Sequence, residues 1–443
     1  MIMKMTGLLS TFLLAIAAIG CGNANSSATA DSQDSDTAAA TSPAVTGHKP
    51  ESPAVLPGIE VLRRNGFEEL DGMRVGLITN PTGVDNSLKS TIDILAEAHN
   101  VRLTALFAPE HGVRGDHVAG ANVANDTDPK TGVPVYSLHG KTKKPTPEML
   151  QNVDVLVYDI QDIGTRSYTF ISTMGLAMEA AAQNGKKFMV LDRPNPLGGN
   201  KVEGSIAEQG NFSFVSQYPI PYVYGLTPGE LARYLNGEGL LKSGMKADLT
   251  VIPMKGWHRS MTFADTGMPW VLPSPHIPDP TTALLYPATG IMGELDYVSI
   301  GVGYTLPFKL AGASWINAQK LADRLTALKI PGVEFRPIHY KPFYAIFKGE
   351  NLHGVEIYVR DAAAAPLTLI QFYIMQELAA MYPGQKAFSK ATPARIKMFD
   401  MVCGSPKVRE LFQENYKVKD MADYWNKDVE AFTARAEIYR LYE

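Results

Sequence analysis

The apolar positions of this chain fall into short continuous runs separated by longer stretches of helical period. Arg74 to Thr79 (RVGLIT), Val101 to Phe107 (VRLTALF), Val153 to Tyr158 (VDVLVY), Lys187 to Leu191 (KFMVL) and Leu249 to Pro253 (LTVIP) are runs of strand length with little polar alternation. Strands buried on both faces of a parallel sheet read this way. Ser90 to His99 predicts a helix with Ser90 as its N-cap, Tyr168 to Gln183 an amphipathic helix, and Thr227 to Leu235 a helix opened by the capping box of Thr227 and Glu230. Short helices are also expected over residues 59–67 and from Pro147. Strands alternating with helices at this spacing predict an α/β fold built on a doubly wound parallel sheet.

Beyond Lys255 the alternation weakens. Residues 257–316, rich in Pro, Gly and aromatics, read as a loop-rich connection forming a cleft wall. Trp257, Trp270, Tyr286, Tyr297 and Tyr304 there offer flat faces that either stack on sugar rings or pack a core. A helix over Ala318–Ala327, strands over Val333–Pro337 and Gly354–Val359, a long helix over Pro366–Met381 and a helical tail from Arg395 to Tyr442 predict a smaller α+β domain. The expected organisation is therefore a sheet domain over residues 58–256, the connection over 257–316, and the smaller domain over 317–443.

The predicted strands end alike. The second breaks at Pro109 and is followed by Glu110, His111, Gly112 and Arg114. The first ends at Asn80, the third at Asp159, Gln161 and Asp162, and the fourth at Asp192, Arg193 and Asn195. Each residue alone reads equally as a turn or cap residue. Pooled, they place a polar cleft along one sheet edge, where ligands bind in open α/β sheets.

Composition narrows the chemistry. A net charge of −4 with no basic run gives no footprint for nucleic acid. Neither GxGxxG after the first strand nor GxxxxGK[ST] is present, which argues against a nucleotide cofactor. At the N-terminus, Lys4 precedes an apolar segment, Leu8 to Ile19, too short to span a bilayer and shaped like a secretory signal. Ala18-Ile19-Gly20-Cys21 resembles a bacterial lipobox, so residues 1–21 are expected to be a signal, with Cys21 lipidated and the protein held at the cell envelope through that lipid alone. An ordinary signal peptide beside a cysteine is the alternative. Residues 22–57, dominated by Ser, Ala, Thr, Asp and Asn, predict a flexible tether. Cys403 is the other cysteine, and CGSPKVRE around it offers no histidine, so a structural thiol is expected.

The ordered motifs RVGLITNPTGVD, LFAPEHGVRG, TGVPVYSLHG with KPTPEML, VDVLVYDIQDIGTRSYTF, LDRPNPLGG with VEG, GLTPGELA, TGMPWVLPSPHIP and LPFKLAGASW resemble the exo-β-N-acetylmuramidase (NamZ-type) glycosidases, long grouped as a domain of unknown function. The resemblance runs from about Gly58 to Tyr442. It implies a Rossmann-like N-terminal domain, a smaller C-terminal domain and a cleft between them. The implied activity is release of N-acetylmuramic acid from the non-reducing end of peptidoglycan fragments, with muropeptides as partners and neither cofactor nor metal. The glutamate of PEHG falls on Glu110, implied as the catalytic acid or base; DIQD falls on Asp159 to Asp162, RPNP on Arg193 to Pro196, and the VEG glutamate on Glu203. One stretch departs from the family. Many members carry a glutamate-Gly-Thr-Asn stretch followed by Gly-Arg-Gly-Thr, whereas this chain has GELDYVSIGVGYT from Gly293 to Thr305, with Glu294 keeping a carboxylate and Val302 replacing the arginine.

Glycoside hydrolysis generally uses two carboxyl groups flanking the bond. With Glu110 as one, the second stays open among Glu203, Asp162, Asp159, Asp192 and Glu294, with Glu203 and Asp162 taken as the catalytic partners. The expected substrate-binding set is Asn80, His111, Asp159, Gln161, Arg166, Tyr168, Asp192, Arg193, Asn195, Glu294 and Tyr304. Arg166 and Arg193 suit the lactyl carboxylate of muramic acid, since guanidinium pairs bidentately with carboxylate, or else form structural ion pairs. Two other classes remain open. One is a metal-dependent hydrolase using His111, His117, Asp159 and Asp162, although the chain lacks close pairs such as HExxH. The other is a non-catalytic muropeptide-binding lipoprotein whose altered 293–305 loop has lost turnover.

Overall fold

Val75 to Thr79 and Val155 to Asp159 are buried at every residue, so their strands are covered on both faces. The computed structural model describes residues 55–110, 112–115 and 126–443. His111, His117, Cys21 with its lipobox, and the tether as far as residue 54 lie outside the described residues.

The larger sheet has seven strands: β1 (Arg74–Thr79), β2 (Arg102–Ala108), β3 (Asp126–Thr127), β4 (Pro134–Ser137), β5 (Val155–Asp159), β6 (Lys187–Leu191) and β7 (Asp248–Ile252). Their order is β3-β4-β2-β1-β5-β6-β7, parallel throughout except for the β3–β4 edge pair. The chain runs outward from β1 through β2 to β4, then returns to the other side of β1 at β5. Edge strand β3 apart, this is the Rossmann order, whose ligand crevice opens where the winding reverses, past the carboxyl ends of β1 and β5.

Period-2 geometry sends alternate side chains of these strands to opposite faces. Val75, Leu77, Val155, Val157, Met189 and Leu191 meet Ile59 and Leu62 of α1 (Gly58–Arg64) and Ile92 and Leu95 of α2 (Thr91–Glu97). Ile78, Leu156, Tyr158, Phe188 and Val190 meet α3 (Phe170–Gln183) and α4 (Pro228–Gly237) on the other side. Gly76 occupies that second face because a Cβ there would stand 2.8 Å from the Phe107 ring. The expected caps form: Ser90 accepts from the Asp93 N–H, and Thr227 and Glu230 complete a capping box on α4.

Three strands and two helices escape the sequence pattern, one of the helices the four-residue Ala387–Lys390. β3, β4 and β8 (Leu310–Ala313) are two to four residues long, too short to show a period. Within the predicted loop-rich connection lies α5 (Pro280–Gly293), started by Asp279 as N-cap and Pro280 in its first turn. Pro287 inside the helix and its nearly uniform apolarity hide its period. At the other end, Val55, assigned by composition to the tether, is buried against Met254 and Trp257, and Leu56 bridges to Lys255.

β8 belongs to a second, antiparallel sheet of order β8-β10-β9, with β9 (Val333–Tyr340) and β10 (Leu352–Val359). α6 (Ala318–Ala327) and α7 (Leu367–Met381) share its core with α5 and the C-terminal helices, and that core also takes in Leu197, Tyr222 and Val223 from the segment between β6 and β7. Trp425 marks the seam. It is fully buried between Tyr222 and Phe372, ring centroids 5.9 and 6.0 Å away, and its indole N–H donates to Thr368 Oγ1 at 2.9 Å. Cys403 is buried in the same core, and the described residues belong to one compact unit.

Phe372 packs against Phe399, Phe412 and Trp425 at the centre of this core. Phe372→Ala is expected to lower stability by roughly 3–5 kcal/mol in denaturant unfolding; a loss below about 1 kcal/mol would show that the aromatic cluster does not hold the C-terminal region.

Candidate active site

β2 stops at Ala108 because Pro109 brings no N–H to continue the ladder, and Glu110 stands half-buried just past its carboxyl end. The loop after β5 turns at Gly164, whose φ of 77° lies in the left-handed region and whose missing Cβ makes room for the Asn195 amide. That turn delivers Ser167, Tyr168 and Thr169 to the start of α3. α5 brings Tyr286 and the preceding loop brings Ser274. With Phe170, these side chains and Glu110 line a cavity of about 170 Å3.

The cavity wall is aromatic and knitted by hydroxyls. Ser167 Oγ lies 2.9 Å from the Tyr222 hydroxyl and 3.3 Å from that of Tyr286. The Tyr168 ring meets Phe170 and Tyr286 edge-on at 5.1 and 5.8 Å, and Tyr286 rests on Phe308 at 4.8 Å. The Tyr168 hydroxyl is buried beside Ser274, yet no well-formed hydrogen bond among the described residues satisfies it. Burial raises both the Tyr168 and Tyr286 hydroxyl pKa values; the carboxylates of Asp162 and Glu110 raise that of Tyr168 further, and those of Glu294, Asp162 and Glu110 that of Tyr286.

Asp162 sits behind this wall, fully buried. One carboxyl oxygen accepts from the Tyr224 hydroxyl and from the Gly164 N–H at 2.8 Å, while the other has no partner among the described residues. Burial pushes its pKa up to about 6, against the pull of the Tyr224, Gly164 and Ile163 donors. The structure thus brings together Glu110 at the cavity surface, Tyr168 in its wall and Asp162 behind it.

Most other anticipated residues are occupied elsewhere. Asp159 is buried between Arg193, which pairs with both of its oxygens at 2.5 and 3.0 Å, and the Thr91 hydroxyl at 2.5 Å. Arg193 also donates to the Val84 carbonyl. Arg166 spends its guanidinium on Ser216 Oγ and the carbonyls of Ser205, Ile220, Val402 and Cys403, at 2.6–3.1 Å, leaving no fork for a lactyl carboxylate. Burial lowers its pKa to about 10. Asp192 accepts from the Arg193 and Gly229 N–H groups and from the Thr227 and Tyr442 hydroxyls, and burial pushes its carboxyl up to about 7 against those donors.

Gln161 donates to the Asp162 and Pro194 carbonyls, and Asn195 holds the Leu226 carbonyl and the Leu197 N–H. Asn80 accepts from Thr82 and donates to the Pro273 carbonyl, next to Ser274. Glu203 caps α7, accepting from the N–H groups of Leu367 and Thr368 and from Lys201. Glu294, past the far end of α5, is shared with Asp296 by Arg395. Tyr304 packs on Tyr340 and Phe343 at 5.2 and 5.7 Å. Ser167, Thr169 and Ser274 were not foreseen, although Ser167 and Thr169 lie in the GTRSYTF motif and Ser274 in PSPHIP. Of the residues in the metal reading, Asp159 is engaged as above, and no group of three His, Cys, Asp or Glu residues among the described residues could hold a metal ion.

Residues 75–281 match the family model for the N-terminal domain of exo-beta-N-acetylmuramidase NamZ, and residues 284–442 match that for its C-terminal domain. The chain belongs to the NamZ family. It is 45% identical over 406 residues to the peptidoglycan beta-N-acetylmuramidase NamZ of Bacillus subtilis (strain 168), covering 92% of this chain and 96% of that protein. Two crystal structures of DUF1343-family proteins from Bacteroides fragilis NCTC 9343 share the NamZ-family fold. One has TM-score 0.86 and 56% identity over 89% of this chain and 100% of the other; the second has TM-score 0.68 and 28% identity over 88% and 99%.

Two predictions separate structural from catalytic groups. Arg193→Met leaves Asp159 buried and unpaired and is expected to lower stability by roughly 3–5 kcal/mol; a raised KM with unchanged stability would instead make Arg193 a substrate ligand. Asp162, raised to about 6 from an ordinary 3.8, contributes stability fully at acid pH and loses it as pH rises through about 6. From about pH 4 to 7 the wild type is therefore expected to lose up to roughly 3 kcal/mol relative to Asp162→Asn. Parallel stability curves for the two proteins would contradict this reading of Asp162.

Proposed function

We propose that the chain is an exo-acting glycosidase that releases N-acetylmuramic acid from the non-reducing end of peptidoglycan fragments. The observation that supports this best is membership of the NamZ family along almost the whole globular chain, with the PEHG glutamate lining the cavity at the carboxyl edge of the sheet. A pocket at that edge, walled by aromatic faces and a few polar groups, suits the terminal ring of a glycan.

Glu110 is the group that transfers the proton at the scissile bond. Asp162 supplies the second carboxyl, because one of its oxygens is buried without a partner among the described residues, whereas Asp159, Asp192 and Glu203 have both oxygens engaged and Glu294 is paired with Arg395. It acts from behind the wall. Both carboxyls bear on the Tyr168 hydroxyl, whose unused hydrogen-bonding capacity serves a sugar hydroxyl or the departing oxygen. The difference between the two carboxyl environments, one open to the cavity and one desolvated, is the arrangement by which two acids take different roles in one site.

The N-terminal segment brings this chemistry to its substrate. Residues 1–21 act as the export signal, Cys21 carries the lipid and the following polar residues tether the enzyme to the cell envelope, where peptidoglycan lies.

Incubation with the disaccharide N-acetylmuramyl-β-1,4-N-acetylglucosamine tests the reading. The wild type is expected to release free N-acetylmuramic acid, chelator is expected to leave the rate unchanged, and Glu110→Gln is expected to slow release by about 10²–10⁴-fold. Calorimetric binding without any released sugar would instead favour the muropeptide-binding lipoprotein.

A further inference from the structure

Large apolar side chains are exposed at seven positions among the described residues, among them the consecutive Phe343 (61% exposed) and Tyr344 (48%), and Leu272 (47%). Leu272 lies two residues before Ser274, which lines the cavity. His276 lies two residues after it and stacks on Tyr344, ring centroids 6.0 Å apart and planes 21° apart. Two residues of chain span at most about 7 Å, so the backbone of His276, whose ring Tyr344 stacks on, lies within that distance of cavity-lining Ser274.

The loop that carries Phe343 and Tyr344, between β9 and β10, is built rather than slack. The Phe343 N–H donates to the Gly303 carbonyl at 2.7 Å, and the Gly349 N–H to that of Pro342 at 2.9 Å. Gly303, at φ 94°, permits the approach, since a Cβ there would strike the Tyr344 carbonyl. Ala345 and Phe347 hold left-handed backbone at φ 61°, a conformation that side-chain-bearing residues keep only where their surroundings impose it. Phe347 is tucked against the cluster of Leu310, Ile338, Tyr340 and Leu352. Phe343 leans on Tyr304, which leans on Tyr340. A loop anchored by these contacts thus presents two partly exposed aromatic rings on the side of His276 and Ser274.

A pyranose ring presents an apolar C–H face, and aromatic side chains supply large, stiff apolar surfaces to receive it. We propose that Phe343 and Tyr344, backed by His276, form the platform for the sugar on the leaving side of the scissile bond, the second pyranose of the glycan. The inference rests on the glycosidase reading above, with the terminal ring in the Glu110 cavity. It also gives the divergent Gly293–Thr305 stretch a place in substrate recognition, because its Gly303 anchors the platform.

The test uses the full chain, the variants Phe343→Ala and Tyr344→Ala and their combination, and two ligands. One is N-acetylmuramyl-β-1,4-N-acetylglucosamine; the other is the methyl β-glycoside of N-acetylmuramic acid, which lacks a second ring. With the disaccharide, the double variant is expected to lose about tenfold in kcat/KM, carried mainly by KM, and with the methyl glycoside to stay within about twofold of wild type. Equal losses on both ligands, or none on either, would overturn the platform. Calorimetry in a Glu110→Gln background keeps the two proposals apart. A wild type that turns over neither ligand sinks the glycosidase reading. Disaccharide affinity in that background that is indifferent to Phe343→Ala and Tyr344→Ala sinks the platform, and a loss of affinity confined to the disaccharide supports it.

Discussion

The buried ion pair between Asp159 and Arg193 fixes the geometry of the sheet's carboxyl edge. Asp159 ends β5 and Arg193 follows β6, while the Thr91 hydroxyl on α2 and the Val84 carbonyl past β1 complete the set. Thr79, the last residue of β1, donates to the Asp159 carbonyl at 2.8 Å. Three parallel strands and a helix thus converge on one desolvated charge pair, whose geometry matters because an uncompensated charge at that depth is expensive. The crevice of a Rossmann-ordered sheet opens at this edge. Here its β1–β5–β6 side is filled by protein side chains bonded to one another, and Arg193 and Gln161 border only a space of about 10 Å3, room for about one water.

The working space is therefore displaced toward β2 and the start of α3. There, one carboxyl faces a cavity and another is kept desolvated behind tyrosines. Tyr168 connects the two: its ring forms the wall and its hydroxyl feels both charges. The filled, hydrogen-bonded edge backs the Gly164–Thr169 loop, which carries cavity-lining side chains.

Much of this was legible in the sequence, for reasons that differ between elements. The central strands announced themselves because burial on both faces demands continuous apolar runs, and α4 because Thr227 and Glu230 spell a capping box. α5 did not, since an apolar helix containing Pro287 has no amphipathic period to detect. Strand-end position and motif together placed Glu110 at the cavity. The same logic left Arg193 and Arg166 open between ligand groups and structural ion pairs and offered Asp159 as a ligand group; all three are engaged by protein partners. A buried ion pair and a guanidinium saturated by carbonyls use the same residue types at the same strand ends as a binding site, and only three-dimensional partners distinguish them. Ser274, though inside the TGMPWVLPSPHIP motif, has no pattern of its own to single it out, and its place beside Tyr168 depends on chain segments about a hundred residues apart.

A crystal structure of the Glu110→Gln protein holding the uncleaved disaccharide would test the central claim most directly. The account predicts the terminal N-acetylmuramic acid ring in the cavity walled by Tyr168 and Tyr286, with the scissile oxygen about 3 Å from the side chain at position 110. Electron density for the sugar at the Gln161–Arg193 edge, with position 110 untouched, would contradict it.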